Sequence, residues 1–312
     1  MNISVLGSGR WGTFISYYLS HKFKVTLWNR DSVNFRNLQK TRSTQYFKLN
    51  ENVEFTNDIN EAAYNDTIII SVLTQKIYEL MNLLKDVDLH NKKFIICMKG
   101  IYSETGERIS QILVKYGVDI NNIILWVGPG HVQNLINNIP SCMCMYSCNL
   151  NLCRYFSNLF SSELINISYD SDIVGAEICS AGKNVVGIIA GMLDALHLSS
   201  LKGVLMVFAC NQFEILLTKL NTTSNTVYGL SFLGDFEATL FSEFSHNRLF
   251  GENFIKGLKI DFSAEGVESV KGLRKLCSKI NLNLPILDFI YGVIFEHKDF
   301  KIEFYKLLAS IT

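Results

Sequence analysis

The sequence NISVLGSGRWGT, residues 2–13, decides the fold. It begins with a short apolar, partly β-branched run that ends at a glycine, which is typical of a buried strand. Gly7, Gly9 and Gly12 follow in the spacing G-x-G-x-x-G, and apolar side chains then recur at helical spacing as far as Leu19. A strand, a glycine-rich turn and a helix in this order predict a dinucleotide-binding unit of the Rossmann type.

Each glycine of this motif has its own task. The first permits the tight turn, the second lets the backbone approach a pyrophosphate, and the third allows close packing of the helix. Unpaired amides and the helix dipole favour an anion at such a helix N-terminus. We therefore predict that the turn binds NAD or NADP. A glycine-rich turn with a purely structural role is the alternative.

The end of the second predicted strand, Lys24–Trp28, bears on the choice between the two cofactors. An acid at this point binds the ribose 2′-hydroxyl of NAD, whereas an arginine accepts the 2′-phosphate of NADP. The chain continues with Asn29, Arg30 and Asp31. Arg30 favours NADP slightly, and Asp31 leaves NAD open.

Strands and helices alternate through the first half of the chain. Near-continuous apolar runs of strand length occur at residues 67–72, 94–98 and 123–127, and helical patterns lie between them at 75–84 and 103–116. This alternation predicts a doubly wound, largely parallel sheet. Residues 142–147 and 164–168 are expected to extend it.

The second half of the chain has helical patterns and no alternating strands. Residues 172–198 form a long apolar segment rich in small side chains, and helical patterns return at 267–280 and 286–296 without a convincing strand. We therefore predict an α/β N-terminal domain with a Rossmann-type doubly wound sheet, residues 1–170, and an all-α C-terminal domain, residues 171–312.

Composition narrows the class of ligand. Lys plus Arg and Asp plus Glu both number 29, so the sequence favours small molecules over nucleic acid as partners. Neither a signal sequence nor an apolar run of about 18 residues is evident, so we expect a cytoplasmic protein without membrane insertion. Four of the eight cysteines cluster without zinc-site spacing, which predicts no metal and buried free thiols; they are Cys142, Cys144, Cys148 and Cys153.

Three features of the sequence are candidates for substrate binding or acid–base catalysis. Lys99 directly follows a predicted strand, where ligands of such sheets collect, and its charge suits an anion. Lys183 and Asn184 interrupt an apolar helix, where desolvation lowers the pKa of a lysine towards acid–base use; a lysine snorkelling from the helix edge is the alternative. Residues 228–252 interleave polar and aromatic side chains, which favours a substrate-binding loop.

These motifs together resemble the bacterial NAD(P)-dependent glycerol-3-phosphate dehydrogenases. The matching segments are GSGRWGT at 7–13, LWNRD at 27–31, KGI at 99–101, GP at 128–129, AEICSAGKN at 176–184, GLSFLGD at 229–235, SHNRLFG at 245–251, AEG at 264–266 and LPI at 284–286.

The resemblance implies reversible reduction of dihydroxyacetone phosphate to sn-glycerol 3-phosphate, a precursor of phospholipids. It implies that Lys183 stabilises and protonates the carbonyl oxygen, and that Asp235 orients or balances this lysine. Cofactor contacts are implied for Gly7, Gly9, Arg10, Trp11, Gly12, Arg30, Lys99, Val132 and Glu265. Substrate contacts are implied for Lys99, Gly128, Gly130, Lys183, Asn184, Asp235, Ser245, His246, Asn247 and Arg248.

The chain departs from the family pattern at two places. The usual Ser-Arg-Asn is Ser245-His246-Asn247, so His246 as a cation, or Arg248, would have to replace the arginine contact to phosphate. The usual Gly-Pro-Ser/Thr-Phe-Ala continues here from Pro129 as Gly130-His131-Val132, which removes a hydroxyl.

Two alternative functions and the oligomeric state stay open at this point. A β-hydroxyacid or ketopantoate-type reductase shares the fold plan, and a nucleotide-sensing protein with weakened catalysis would keep the binding turn. The apolar C-terminal helices would support a homodimer or pack within their own domain.

Overall fold

The computed structural model describes residues 1–30 and 32–310. Two compact units emerge from the packing of the chain. The first consists of Met1–Met98 and Ile109–Ile173, and the second of Lys99–Arg108 and Val174–Thr312. The short segment 99–108 thus groups with the second unit, although the chain before and after it belongs to the first. The division predicted between residues 170 and 171 stays a prediction.

The first unit alternates strands and helices. Its strands are β1 Asn2–Leu6, β2 Lys24–Trp28, β3 Val53–Thr56, β4 Thr67–Ile70, β5 Lys93–Ile96, β6 Ile123–Val127, β7 Ser141–Tyr146 and β8 Ile165–Asp170. Its helices are α1 Arg10–Leu19, α2 Val33–Thr41, α3 Ile59–Ala63, α4 Ile77–Leu83, α5 Ile109–Lys115, α6 Val132–Ile136 and α7 Leu150–Phe160.

One eight-stranded sheet of order β3-β2-β1-β4-β5-β6-β7-β8 organises the described part of this unit. All neighbouring strands are parallel except β6 and β7. The strand order reverses between β1 and β4, which is where ligands of such sheets bind beyond the carboxyl ends. Leu6 pairs with Trp28 on one side and Ile70 on the other, so Gly7 lies at this edge. The predicted doubly wound sheet and its two extra strands are confirmed.

Strand β3 and helices α2, α3, α6 and α7 were not predicted, and one predicted helix begins later than expected. Strand β3 has only two apolar residues, too few for a clear pattern. The helix predicted at 103–116 begins only at Ile109, and the preceding residues form turns. Gly106 explains the break, because its φ of +71° is left-handed and an added Cβ would lie 2.7 Å from the Leu276 amide nitrogen.

Helices are the regular secondary structure among the described residues of the second unit. Its α-helices are α8 Ile173–Ala195, α9 Lys202–Lys219, α10 His246–Ile255, α11 Glu265–Lys279, α12 Pro285–Phe295 and α13 Phe300–Ala309. Short 3₁₀ helices lie at Ser199–Leu201, Ser224–Tyr228 and Leu233–Asp235, and a π-helix lies at Glu237–Phe241. The apolar side chains of α12 pack within this unit.

Helix α8 is the core of the second unit. Its side chains from Val185 to Leu193 are almost all fully buried, and α9, α11 and α12 contribute to the same core. By length and composition, α8 and the helical segment Ser199–Lys219 would each be long enough to cross a membrane. The apolar part of α8 is 94% buried inside the unit, as expected for the core helix of a globular domain.

Glycines allow α8 and α10 to approach backbone to backbone. An added Cβ at Gly191 would lie 1.8 Å from the Arg248 carbonyl oxygen, and one at Gly251 would lie 1.9 Å from the Ile188 carbonyl oxygen. Because backbone atoms on both sides are held by helical hydrogen bonds, neither contact can relax by a side-chain rotation.

We predict that Gly191→Ala lowers the free energy of unfolding by about 3 kcal/mol, because the methyl group forces the two helices apart. Gly203→Ala is the matched control: it lies in α9 with open space around its Cα, so the substitution should raise stability by about 0.5 kcal/mol. Urea unfolding followed by circular dichroism measures both values. Equal stability of the two variants would contradict this packing.

Candidate active site

Lys183 projects from the middle of α8 into a buried polar pocket. The residue is 4% exposed. Its Nζ lies 2.5 Å from Asp235 Oδ2 and donates a hydrogen bond to Thr239 Oγ1 at 3.0 Å. Burial lowers the pKa of Lys183 to about 8; Asp235 opposes this decrease, and the nearby charge of Lys99 adds to it. The pKa of the amine is therefore close to neutral pH, where a group can both donate and accept a proton.

A single carboxylate oxygen serves two lysines. Asp235 ends the 3₁₀ helix Leu233–Asp235, and its side chain is 2% exposed. Its Oδ2 accepts from Lys183 and, at 3.0 Å, from Lys99. With both lysines charged the group carries a net positive charge, which attracts an anion. The Lys99 side chain is 21% exposed and is the more accessible of the two.

Thr239 is one of the polar residues of segment 228–252, and the sequence assigned it no role of its own. It lies on the π-helix, and its buried hydroxyl accepts from Lys183 and donates to the Asp235 carbonyl oxygen at 2.7 Å. The available signal was its position four residues after Asp235, which places both on one side of a helical turn. Isolated π-turns frequently occur at functional sites.

Besides the Lys99–Asp235 ion pair, three further contacts attach the segment 99–108 to the helices of the second unit. Asn184 Nδ2 donates to the Lys99 carbonyl oxygen at 2.8 Å, which keeps Lys99 beside α8. Arg108 and Glu177 form a largely buried ion pair at 2.7 Å. Lys275 Nζ donates to the carbonyl oxygen of Glu104 at 2.5 Å. Asn184, expected to contact substrate, thus also holds Lys99 in place.

The residues expected to hold phosphate lie around the start of α10. Ser245 caps this helix, and its Oγ accepts from the Arg248 amide at 3.3 Å. Asn247 Oδ1 accepts from the Gly266 amide at 2.9 Å, next to Glu265 at the start of α11. His246 is exposed, with its ring 5.2 Å from that of Phe262.

Arg248 is bound elsewhere. Its guanidinium contacts Asp194 at 2.9 Å and Glu252 at 3.2 Å, and its Nε donates to the Ser242 carbonyl oxygen at 3.1 Å. A move of this side chain towards a phosphate would break two ion pairs and leave Asp194 with Lys202 and Glu252 with Lys256.

The prediction of a loop at 228–252 was wrong. The segment folds into short 3₁₀ helices, the π-helix and most of α10. Phe232 and Phe236 are buried core residues with ring centroids 4.8 Å apart, whereas Tyr228, Phe241 and Phe244 are exposed. Aromatic spacing in a segment of short helical turns follows neither helical nor strand periodicity, so the pattern was ambiguous.

In the glycine turn of the first unit, Gly7 and Gly12 pack against backbone, whereas Gly9 has open space beside it. Gly7 has a φ of +113°, and an added Cβ would lie 2.4 Å from the Ser71 carbonyl oxygen; at Gly12 it would lie 2.0 Å from the Gly7 carbonyl oxygen. At Gly9 nothing lies within 4 Å. Helix α1 has no acidic residue in its first turn, where Arg10 stands. These residues fit a dinucleotide pyrophosphate.

The other expected cofactor and substrate residues lie on several elements of the two units. The added Cβ of Gly130 would contact the Trp11 ring at 3.8 Å. Val132 is buried at the start of α6, and Gly128 has a φ of +146°. Lys99 and Glu265 belong to the second unit.

Arg30 already has a partner. Its guanidinium lies 3.0 Å from Glu79 Oε2 in an exposed ion pair. Asn29 Nδ2 donates to Ser8 Oγ at 2.6 Å, which joins the end of β2 to the glycine turn. Asp31, the residue that left NAD open, lies outside the described residues.

The cysteines do not form a metal site in the described part of the chain. No group of three or more potential His, Cys, Asp or Glu ligands lies together among residues 1–30 and 32–310. All eight cysteines are free. Cys144 and Cys153 are buried as expected, but Cys142 and Cys148 are exposed, because they lie at the start and just beyond the end of strand β7.

Comparison with known proteins assigns both units. A family model described as the N-terminus of NAD-dependent glycerol-3-phosphate dehydrogenase matches residues 2–153, and one described as its C-terminus matches residues 172–304. The chain belongs to this family. The glycerol-3-phosphate dehydrogenase [NAD(P)+] of Prosthecochloris aestuarii is 30% identical over 96% of this chain and 95% of its own length. The enzyme of that name from Thermoanaerobacter is 29% identical over 96% and 94%.

Solved structures share the fold. The crystal structure of glycerol-3-phosphate dehydrogenase from Coxiella burnetii superposes with a TM-score of 0.91 over 98% of both chains, at 21% sequence identity. A more distant likeness, with a TM-score of 0.59 and 15% identity, links the chain to a probable 2-dehydropantoate 2-reductase from Bacillus subtilis.

We predict that Asp235→Asn destabilises the protein by about 3–5 kcal/mol at neutral pH, because it leaves the buried Lys183 charge without its anion. Lys183→Met should cost less, since Asp235 keeps Lys99. Burial lowers the Lys183 pKa from 10.5 to about 8, so the unfolded chain binds more protons between these values.

The stability of the wild-type protein should therefore rise with pH through this window. The loss in Asp235→Asn should shrink as pH rises towards about 8, because the wild-type amine also becomes neutral there and no longer gains from the carboxylate. Urea unfolding at neutral and alkaline pH measures both effects. A larger loss for Lys183→Met, or a loss independent of pH, would contradict the ion-pair assignment.

Proposed function

We propose that this protein is a cytoplasmic oxidoreductase that reversibly reduces dihydroxyacetone phosphate to sn-glycerol 3-phosphate with NADH or NADPH. The observation that supports this most is the buried Lys183–Asp235 pair with Lys99 on the same carboxylate oxygen. It supplies a proton donor and a net positive charge in one place, as reduction of an anionic ketone requires.

In this proposal Lys183 acts on the carbonyl oxygen of the substrate. Hydride is supplied by the nicotinamide when the dinucleotide is bound. As negative charge grows on the oxygen, the Lys183 ammonium stabilises it and then transfers a proton to it. Burial favours this transfer in two ways, because it strengthens the electrostatic interaction and lowers the pKa of the amine. In the reverse direction the neutral amine accepts the proton.

Asp235, Thr239 and Lys99 prepare the amine for this step. Asp235 keeps the ammonium form available despite burial, and Thr239 restricts the direction of Nζ. After Lys183 has lost its proton, Lys99 still balances the Asp235 charge. The pair can therefore change protonation state without leaving an isolated buried charge.

For the phosphate end we propose the N-terminus of α10. Its backbone amides and dipole favour an anion, and no acidic residue lies in its first turn. Ser245 and Asn247 keep the start of this helix in place. Exposed His246 supplies the side-chain contact there, because Arg248 is held by Asp194 and Glu252.

For the cofactor we propose Gly7, Gly9 and Gly12 at the pyrophosphate, with Arg30 at the adenosine ribose. The ion pair with Glu79 competes with a 2′-phosphate for Arg30. NADP therefore binds only with the loss of part of this pair, which supports use of both cofactors.

We expect Lys183→Met to lower kcat for dihydroxyacetone phosphate reduction by about 10²–10⁴-fold, because the general acid is lost. Cofactor affinity should stay unchanged, since the glycine turn is intact. Absorbance assays with NADH and NADPH, and calorimetric titration of each cofactor, measure the two effects. Lys271→Met, at an ion-paired lysine away from this pocket, is the control.

Ketopantoate and small β-keto acids are the comparison substrates in the same assay. A wild-type protein that reduces these but not dihydroxyacetone phosphate would overturn the proposed substrate. Normal turnover by Lys183→Met would overturn the role of the lysine.

The pH dependence should differ between the two directions. Reduction needs the Lys183 ammonium, so kcat/KM should fall as pH rises through about 8, whereas oxidation of glycerol 3-phosphate should increase over the same range. Steady-state assays at constant ionic strength measure both profiles. Profiles that change in the same direction would contradict a proton shared between Lys183 and the substrate.

Glu79→Gln should strengthen NADP binding by about fivefold and leave NAD binding unchanged, because removing an exposed ion-pair partner frees Arg30 at small cost. Arg30→Ala should weaken NADP binding selectively. Glu51→Gln, at an exposed acid of the same unit, is the control. Equal effects of Glu79→Gln on both cofactors would contradict this role of Arg30.

A further inference from the structure

A second cluster of charges lies beside the Lys183 pocket. We call Asp194, Lys202, Arg248 and Glu252 the Asp194 cluster. Asp194 Oδ2 accepts from Lys202 at 2.7 Å and from Arg248 at 2.9 Å, and Ser199 Oγ donates to Asp194 Oδ1 at 2.7 Å. The Lys202 side chain is only 8% exposed. The proposed reaction assigns no role to this cluster.

The two cations of the Asp194 cluster also bind the end of the π-helix. Lys202 Nζ donates to the Leu240 carbonyl oxygen at 3.0 Å, and Arg248 Nε donates to the Ser242 carbonyl oxygen at 3.1 Å. Lys202 Nζ additionally lies 4.9 Å from the centre of the Phe241 ring. Positive charge at the C-terminal end of a helix satisfies carbonyl groups that have no partner within the helix.

Helix α8 contacts the same π-helix next to Lys183. Gly187 lies one turn after Lys183, and an added Cβ there would lie 2.8 Å from Thr239 Cγ2. Thr239 directly precedes Leu240, the residue whose carbonyl oxygen Lys202 binds. The π-helix is thus fixed between the backbone of α8 and the Lys202 ammonium.

We propose that Lys202 is a positioning residue for the reaction: by binding Leu240 it fixes the π-helix so that the Thr239 hydroxyl keeps the Lys183 amine on Asp235. Lys202 acts through Thr239 and does not touch substrate. The inference rests on the proposed function, because it concerns the same proton donor.

Lys202→Met tests this role, because methionine fills the space of the lysine stem but cannot donate to Leu240. We expect kcat for dihydroxyacetone phosphate reduction to fall at least about tenfold, since small displacements of a catalytic group are costly. KM should change by less than about threefold, because Lys202 does not bind substrate. The alkaline fall in kcat/KM should move to lower pH, because the Lys183 ammonium loses a hydrogen-bond acceptor.

Lys271→Met is the matched control. Lys271 also pairs with a carboxylate, Glu268 at 2.9 Å, and lies 5.0 Å from an aromatic ring, that of Phe295. Unlike Lys202, Lys271 makes no described contact with the π-helix. Lys202→Arg keeps a donor and should restore most of kcat.

Hydrogen exchange provides a readout that is independent of turnover. Amides of residues 237–243 should exchange faster in Lys202→Met than in Lys271→Met. If Lys202→Met does not fold, Asp194→Asn replaces it, because it weakens the anchor of Lys202 while keeping the shape of the side chain.

A folded variant with wild-type kcat, pH profile and exchange would overturn the positioning role. Absence of dihydroxyacetone phosphate reduction in the wild-type protein would instead overturn the proposed function. In that event the exchange of residues 237–243 decides the positioning role by itself.

Discussion

An ammonium group that is 4% exposed requires a counter-charge, because its transfer from water costs several kcal/mol. Lys183 obtains that counter-charge from Asp235, and much of the local structure of the second unit maintains the pair. The 3₁₀ helix Leu233–Asp235 brings the carboxylate to α8, and the π-helix adds the Thr239 hydroxyl. Without the Asp235 carboxylate, either Lys183 would lose its proton or the surrounding structure would unfold.

Close approach of backbones is the second condition for this site. The residues that face α10 and the π-helix from α8 include Gly187 and Gly191, where larger side chains would collide with Thr239 or Arg248. The segment 99–108 approaches α11 in a similar way, through Gly106 and Gly272, and its Lys99 reaches the second partner position on Asp235. The glycines and the segment 99–108 therefore shield the charges of Lys99, Lys183 and Asp235 from most of the solvent.

Local pattern was sufficient for every strand of the first unit except β3. The strand, turn and helix at residues 2–19, the continuous apolar strands and the two added strands follow from short-range periodicity and turn chemistry. Lys183 was a candidate because an ionisable group in an apolar segment is unusual, and the family resemblance assigned the roles of Lys183 and Asp235. The loop expected at 228–252 was wrong because its short helical turns have no lasting period, and Thr239 was assigned no role for the same reason.

By itself the sequence determined the fold class and the family, and it singled out Lys183 as the proposed proton donor, since these depend on residue types at fixed spacing along the chain. Only the tertiary structure decided which groups surround that donor. Lys99, Lys183, Asp235 and Thr239 are up to 140 residues apart and meet in one pocket. The same holds for Arg248, a phosphate candidate by sequence, which the structure engages with Asp194 and Glu252. Charges choose partners by distance in space, and that distance is set by the packing of the whole helical unit.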